Sequence, residues 1–158
     1  MPPEGKPRRQ MTKPGDPPTA MEQRASELGI TFTRGRTWTS NSHLALEAAE
    51  FAGEHGDPQR FQRAMFKAYF EDLDDIGEVD TIVRVGTEAG LSAAELREAL
   101  VSGQYRNEVD NGIRWSQEVG VTAVPTFVLG GEHGIVGAQE PAVFEDLLLR
   151  KFGQTPKR

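Results

Sequence analysis

The chain of 158 residues carries three histidines and no cysteine, and that pairing bounds its chemistry. Without cysteine there is no disulfide, no thiolate metal site and no thiol nucleophile. His43, His55 and His133 have no ligand-like spacing and belong to no H-E-x-x-H pattern, so no metal site and no cofactor are expected. Glu71, Asp72, Asp74 and Asp75 are dense in acid. A calcium loop needs alternating acids, a glycine and a distal glutamate, and that order is absent, so this run reads as a solvated loop. Asp75 is a candidate cap for the helix after Gly77. Asn41 and Ser42 read as helix caps before they read as a pocket lining. No catalytic residue emerges. In the run G-V-T-A-V-P-T-F over Gly120–Phe127, Pro125 after Val124 can simply start a strand, where a missing N–H is tolerated.

These residues need a scaffold, and 158 residues are enough for one domain with a real core. The formal charge of −6 and the isoelectric point near 5.1 argue against a general nucleic-acid surface. The basic residues are not evenly spread: Lys6, Arg8, Arg9 and Lys13 sit in the head, and Lys151, Lys157 and Arg158 lie near the finish. Such short runs read as solubilising termini. No apolar run has the length of a membrane span, and the start lacks the apolar core of a signal peptide. A cytoplasmic protein that binds neither membrane nor nucleic acid is the expectation.

Residues 1–18 hold six prolines and almost nothing apolar, which predicts an extended, poorly ordered head. A first helix is expected from Pro17 or Pro18 to Leu28, capped by Asp16 and stopped at Gly29. Thr31–Thr39 reads as an extended crossing segment. From Ser40 to Gly120 the periodicity is helical. Leu44, Ala48, Phe51 and Ala52 share one face. Asp57-Pro58 starts a second helix with Phe61, Met65, Ala68 and Tyr69 on its inner face, flanked by Phe66 and Phe70. Val79, Ile82, Val83 and Ala89 mark a third, ending at Gly90. Ser92-x-x-Glu95 is a capping box for a fourth. Tyr105, Val109, Ile113 and Ser116 mark a fifth. Trp38, Trp115 and the Phe61–Phe70 aromatics read as core. Thr126–Leu129, the Gly130-Gly131 turn and Ile135-Val136 form a hairpin. A closing helix over about 140–152 is expected to bury Val143, Phe144, Leu147 and Leu148.

The order of these motifs resembles the DsbA-like thioredoxin family, closest to its FrnE-type branch. The runs that carry the resemblance are W-T-S-N-S-H-L-A-L-E-A-A-E-F-A (Trp38–Ala52), F-K-A-Y-F-E-D-L-D-D-I-G (Phe66–Gly77), and G-V-T-A-V-P-T-F with V-G-A-Q (Val136–Gln139). The resemblance implies an α/β chain: a partial thioredoxin-like fold with an inserted helical bundle, mostly helical, with a small two-stranded C-terminal sheet. In those terms the domain covers 19–152, with the insertion at 40–120 and the strand–strand–helix end at 121–152. A tail follows at 153–158.

The family is one of protein disulfide oxidoreductases, with a cis proline facing a Cys-x-x-Cys pair. The resemblance therefore implies a cis Val124–Pro125 bond and a Val124 backbone that hydrogen-bonds an extended peptide. On this resemblance the β-α-β unit that bears the cysteines is expected to be missing here, and Pro2-Pro3-Glu4-Gly5 resembles the loop that follows it. The chain reads as shortened at its N-terminus and inactive in thiol exchange as written. Two other readings stand beside this one. The first is a glutathione-dependent protein of the 2-hydroxychromene-2-carboxylate isomerase or kappa class. The second is a non-catalytic module that binds a peptide or partner protein, or self-associates through an open sheet edge.

Overall fold

The computed structural model describes residues 2, 4–8, 12 and 15–153. Arg9, Lys13 and the tail beyond Gly153 lie outside the described residues. The chain divides into two compact units, Met1–Asn111 and Gly112–Arg158.

The first unit opens with a short clasp. Strand β1 (Lys6–Pro7) pairs antiparallel with β2 (Trp38–Thr39), Lys6 opposite Thr39 and Pro7 opposite Trp38. Gly5 is buried at φ +89°, where a Cβ would stand 2.5 Å from the Thr39 carbonyl oxygen and 2.6 Å from Trp38 Nε1. Only glycine fits that approach. Trp38 is half-buried and donates its indole N–H to the Glu4 carbonyl at 3.0 Å. Among the described head residues Lys6 and Pro7 are thus paired, where an extended, poorly ordered head was expected.

Helix α1 (Ala20–Glu27) starts later than the Pro17-Pro18 signal implied. Thr19, not Asp16, caps it. Thr19 Oγ1 accepts from the Glu22 amide at 3.2 Å, and Glu22 Oε2 accepts from the Thr19 amide at 2.7 Å. This reciprocal box satisfies two orphan donors at once, which a lone aspartate further upstream cannot do.

The bundle contains α2 (His43–His55), α3 (Pro58–Phe70), α4 (Val79–Glu88) and α5 (Ala93–Ser102), and its buried face follows the apolar spacing, although Phe66 is exposed. Helix α6 (Arg106–Glu118) runs from the first unit into the second; of its expected inner face Val109 is buried and Ile113 is exposed. Asp57 caps α3, accepting from the Gln59 and Arg60 amides, with Pro58 in the first turn. Ser92 accepts from the Glu95 amide at 3.5 Å to open α5. Helix α2 packs on α3, α4 and α5, and α4 on both α3 and α5. Their shared core holds Phe51, Phe61, Met65, Ile82, Val85 and Leu96. Each such buried side chain contributes about 1.5–3 kcal/mol.

The second unit carries the hairpin. Strands β3 (Thr126–Leu129) and β4 (His133–Val136) pair antiparallel, with Thr126 opposite Val136 and Leu129 opposite His133. Gly130 (φ +61°) and Gly131 (φ +78°) supply the positive φ values of the turn over 130–132, and the Glu132 amide reaches the Leu129 carbonyl at 3.4 Å. Helix α7 (Pro141–Phe152) closes the unit. It buries no residue fully, contrary to expectation: Phe144, Leu147 and Leu148 are half-buried and Val143 is exposed. A helix needs a broad apolar surface to hide its stripe, and two four-residue strands do not supply one. Trp115, expected in the core, is 52 % exposed.

Candidate peptide-binding segment

Val124 and Pro125 stand together just before β3. The ladder begins at Thr126, so the Val124 backbone lies outside it. The Val124–Pro125 bond is cis. Pro125 turns its carbonyl toward the hairpin and accepts from the Gly137 amide at 2.7 Å. Thr126 Oγ1 donates to the Ala123 carbonyl at 2.6 Å, closing a tight turn around the pair. Val124 itself is 90 % exposed. The next side chains along β3, Phe127 and Val128, are also exposed, although Phe127 meets Phe144 edge-to-face at 4.9 Å. In the described sheet β3 has one neighbour, β4. Its other edge presents backbone N–H and C=O groups next to an apolar surface. Such an edge can accept an extended peptide by strand addition.

The other polar candidates take up different roles. Asn41, not Ser42, serves the start of α2: its Oδ1 accepts from the His43 amide at 3.1 Å, and its Nδ2 donates to the Pro2 carbonyl. Ser42 makes no capping bond through its side chain. Asp75 caps no helix. Its Oδ1 accepts from the Gly77 amide at 2.9 Å, two residues on, in a local turn. Within the acidic run, Asp72 pairs with Lys67 at 2.8 Å and Asp74 pairs with Arg84. His55 stacks on Phe51 with centroids 4.3 Å apart. The Tyr105 hydroxyl donates to Glu54 Oε2 at 2.6 Å, which raises the phenol to about 12.

One polar cluster escaped the sequence. His43 Nδ1 lies 3.0 Å from Glu47 Oε1, and Glu47 is 1 % exposed. Asp110 and Arg106 approach the same pair, with Arg106 Nε 3.8 Å from Glu47 Oε1. The i,i+4 spacing of His43 and Glu47 was a visible signal. Among the described residues no three His, Asp or Glu side chains converge as metal ligands.

Residues 5–149 match the family model described as the DSBA-like thioredoxin domain. The chain belongs to that family. A crystal structure of a probable DsbA oxidoreductase from Streptomyces coelicolor aligns with a TM-score of 0.73 at 26% identity, over 87% of this chain and 60% of that one. The uncharacterized protein YwbO of Bacillus subtilis (strain 168) is 29% identical over 129 residues, covering 80% of this chain and 64% of its own length. This chain thus spans less than two thirds of either relative. The DsbA-like assignment accounts for the helical bundle and for the V-P-T-F strand that follows it. Among the described residues no helix is long and apolar enough to cross a membrane.

Proposed function

We propose that this DsbA-like chain binds an extended, apolar peptide along the Val124–Thr126 segment and the free edge of β3, and does not itself exchange disulfides. The observation that supports the reading is the exposed Val124 backbone, outside the ladder and continuous with the exposed side chains of Phe127 and Val128. Main-chain bonds along such an edge give affinity, while alternate side chains give selectivity. The chain has no cysteine, so no thiolate of its own attacks a disulfide. Placement in the FrnE-type branch is part of the same proposal, supported by the runs Trp38–Ala52 and Phe66–Gly77.

The test uses the purified chain and a fluorescent extended peptide rich in valine and leucine, read by anisotropy. Saturable binding that Val124→Asp weakens about tenfold is the expected result, together with no reduction of insulin above a heat-denatured control. Binding indifferent to Val124→Asp, or measurable insulin turnover, would overturn the reading. A concentration-dependent rise in molecular mass without peptide would instead assign the edge to a second copy.

A further inference from the structure

A second candidate site lies within the first unit, made wholly of other residues. A cavity of about 400 Å³ opens between α1, the segment 32–36 and the end of α3. Its apolar lining includes Met21, Phe32, Phe70 and Leu73, and its cationic lining includes Arg8 and Arg36. That volume falls within the range of small-molecule sites, which are mostly apolar with a few placed polar groups.

Among the described lining residues Arg8, Arg34 and Arg36 are cationic and Glu22 is anionic, with Asp16 acting on Arg34 and Asp75 and Asp74 acting on Arg36 from nearby. Arg34 is committed to that carboxylate through two bonds of 2.7 Å, and to the Asp16 and Pro17 carbonyls. Arg36 is held by the carbonyl oxygens of Tyr69 and Asp74 and lies 3.8 Å over the Tyr69 ring. Asp74 also pairs with Arg84, and Asp75 accepts from the Gly77 amide. Arg8 is exposed and forms no ion pair with a described residue, while its amide is fixed on the Thr37 carbonyl at 2.8 Å. Burial lowers the Arg36 pKa, opposed by Tyr69, Asp75 and Asp74 and reinforced by the Arg8 charge. Arg8 is thus the lining cation with no described carboxylate of its own, and it marks the place for an anion's head.

The apolar wall narrows the kind of anion. Phe32 and Phe70 meet edge-to-face at 5.0 Å. Met21 is 71 % exposed, an unusual setting for a large apolar side chain on the inner lip of a cavity. Leu73 holds φ +62°, a left-handed conformation that costs a leucine free energy and that concentrates at ligand sites. A hydrated phosphate would leave this surface uncovered. A flat head with an apolar tail would satisfy both halves, since a carboxylate matches the guanidinium fork.

We propose that this cavity binds a small amphipathic carboxylate, its head on Arg8 and Arg36 and its tail against Phe32, Phe70, Met21 and Leu73. The site is independent of the peptide edge, and its failure would leave that reading untouched.

The experiment titrates octanoate into the full chain at low salt and follows backbone amide NMR shifts. Octanol and octylammonium are the neutral and cationic controls. Saturable shifts centred on Arg8, Met21, Phe32 and Phe70 are expected, with octanol and octylammonium at least tenfold weaker. Arg8→Gln keeps the amide bond to Thr37 and removes an exposed side-chain charge that pairs with no described residue. It should weaken octanoate about tenfold and leave octanol unchanged. Equal binding of octanoate and octanol, shifts centred elsewhere, an unaffected Arg8→Gln variant, or no saturation would each overturn the proposal.

Discussion

His43 Nε2 stands 2.9 Å from Asp110 Oδ1, a contact between α2 and α6 across 67 residues of sequence. With Nδ1 on buried Glu47, the imidazole bridges two carboxylates. The Asp110 bond, then the Glu47 bond, raise the histidine above its ordinary 6.5 against the opposing effect of burial. A raised folded pKa contributes stability that is fully present below the unfolded value and is lost as pH rises through the folded one. The denaturation midpoint should therefore fall as pH climbs from about 6.5 into the alkaline range. In His43→Gln that slope should flatten, as chemical denaturation at stepped pH values will show.

The same pair predicts strong non-additivity. Glu47 Oε2 is buried without a hydrogen-bond partner, so the carboxylate leans on His43 through its other oxygen. His43→Leu alone takes the 3.0 Å partner from buried Glu47 and leaves it Arg106 Nε at 3.8 Å, which should cost about 3 kcal/mol. Adding Glu47→Leu removes the poorly paired carboxylate. The double variant should then be more stable than the single one, as a double-mutant cycle by urea denaturation will measure.

Two helical glycines should respond in opposite directions to alanine. A Cβ at Gly86 of α4 would press on Leu96 Cδ2, with Leu91 Cδ1 at 3.4 Å and Phe61 Cε2 at 3.7 Å. The overpacking penalty of about 1–3 kcal/mol exceeds the helix gain of about 1 kcal/mol, so Gly86→Ala should destabilise. At Gly53 of α2 nothing lies within 4 Å. Gly53→Ala should raise stability by roughly 0.5–1 kcal/mol. Thermal melts of the two variants decide the matter.

The start of α1 should be acid-sensitive. The Arg34 hydrogen bond, then the Thr19 bonds, hold Glu22 down to about 2 from 4.5. A depressed folded pKa contributes stability above the unfolded value that is lost as pH falls toward the folded one. Amide exchange at Gln23 should therefore accelerate as pH drops from 4.5 toward about 2, once corrected for intrinsic rates. Thr19→Ala should cost about 1 kcal/mol and speed the same amide at neutral pH.

Local chemistry made most of the fold legible. Asp57-Pro58, Ser92 and the 3.6-residue spacing of Phe61, Met65 and Ala68 act within a turn or two, so the sequence displays them directly. The V-P-T-F strand and its Gly-Gly turn were equally local. Errors arose where a rival signal or a distant surface decided. Pro17-Pro18 drew the first helix forward, although Thr19 and Glu22 carried the stronger box. The partial exposure of α7 depends on how much sheet lies against it, which periodicity does not report. The His43 cluster needs Asp110, and the Arg8–Arg36 cavity joins the head to the end of α3. Neither pairing has a signature within one window of sequence.

The clasp of Lys6–Pro7 on Trp38–Thr39 sets an order of events in time. It closes a loop of about 30 residues, at an entropic cost on the order of 3 kcal/mol, and returns two residue pairs. The helices α2 to α5 also close long loops, α2 on α5 included, but they repay that cost with a shared apolar core that the two-pair clasp lacks. The bundle should therefore form early and the clasp late, and on the reverse path the clasp should open first. Arg8 follows the clasp directly, so opening withdraws one cation from the cavity wall. A bound carboxylate would then act as a latch, and protection of the Arg8 amide would rise with its occupancy.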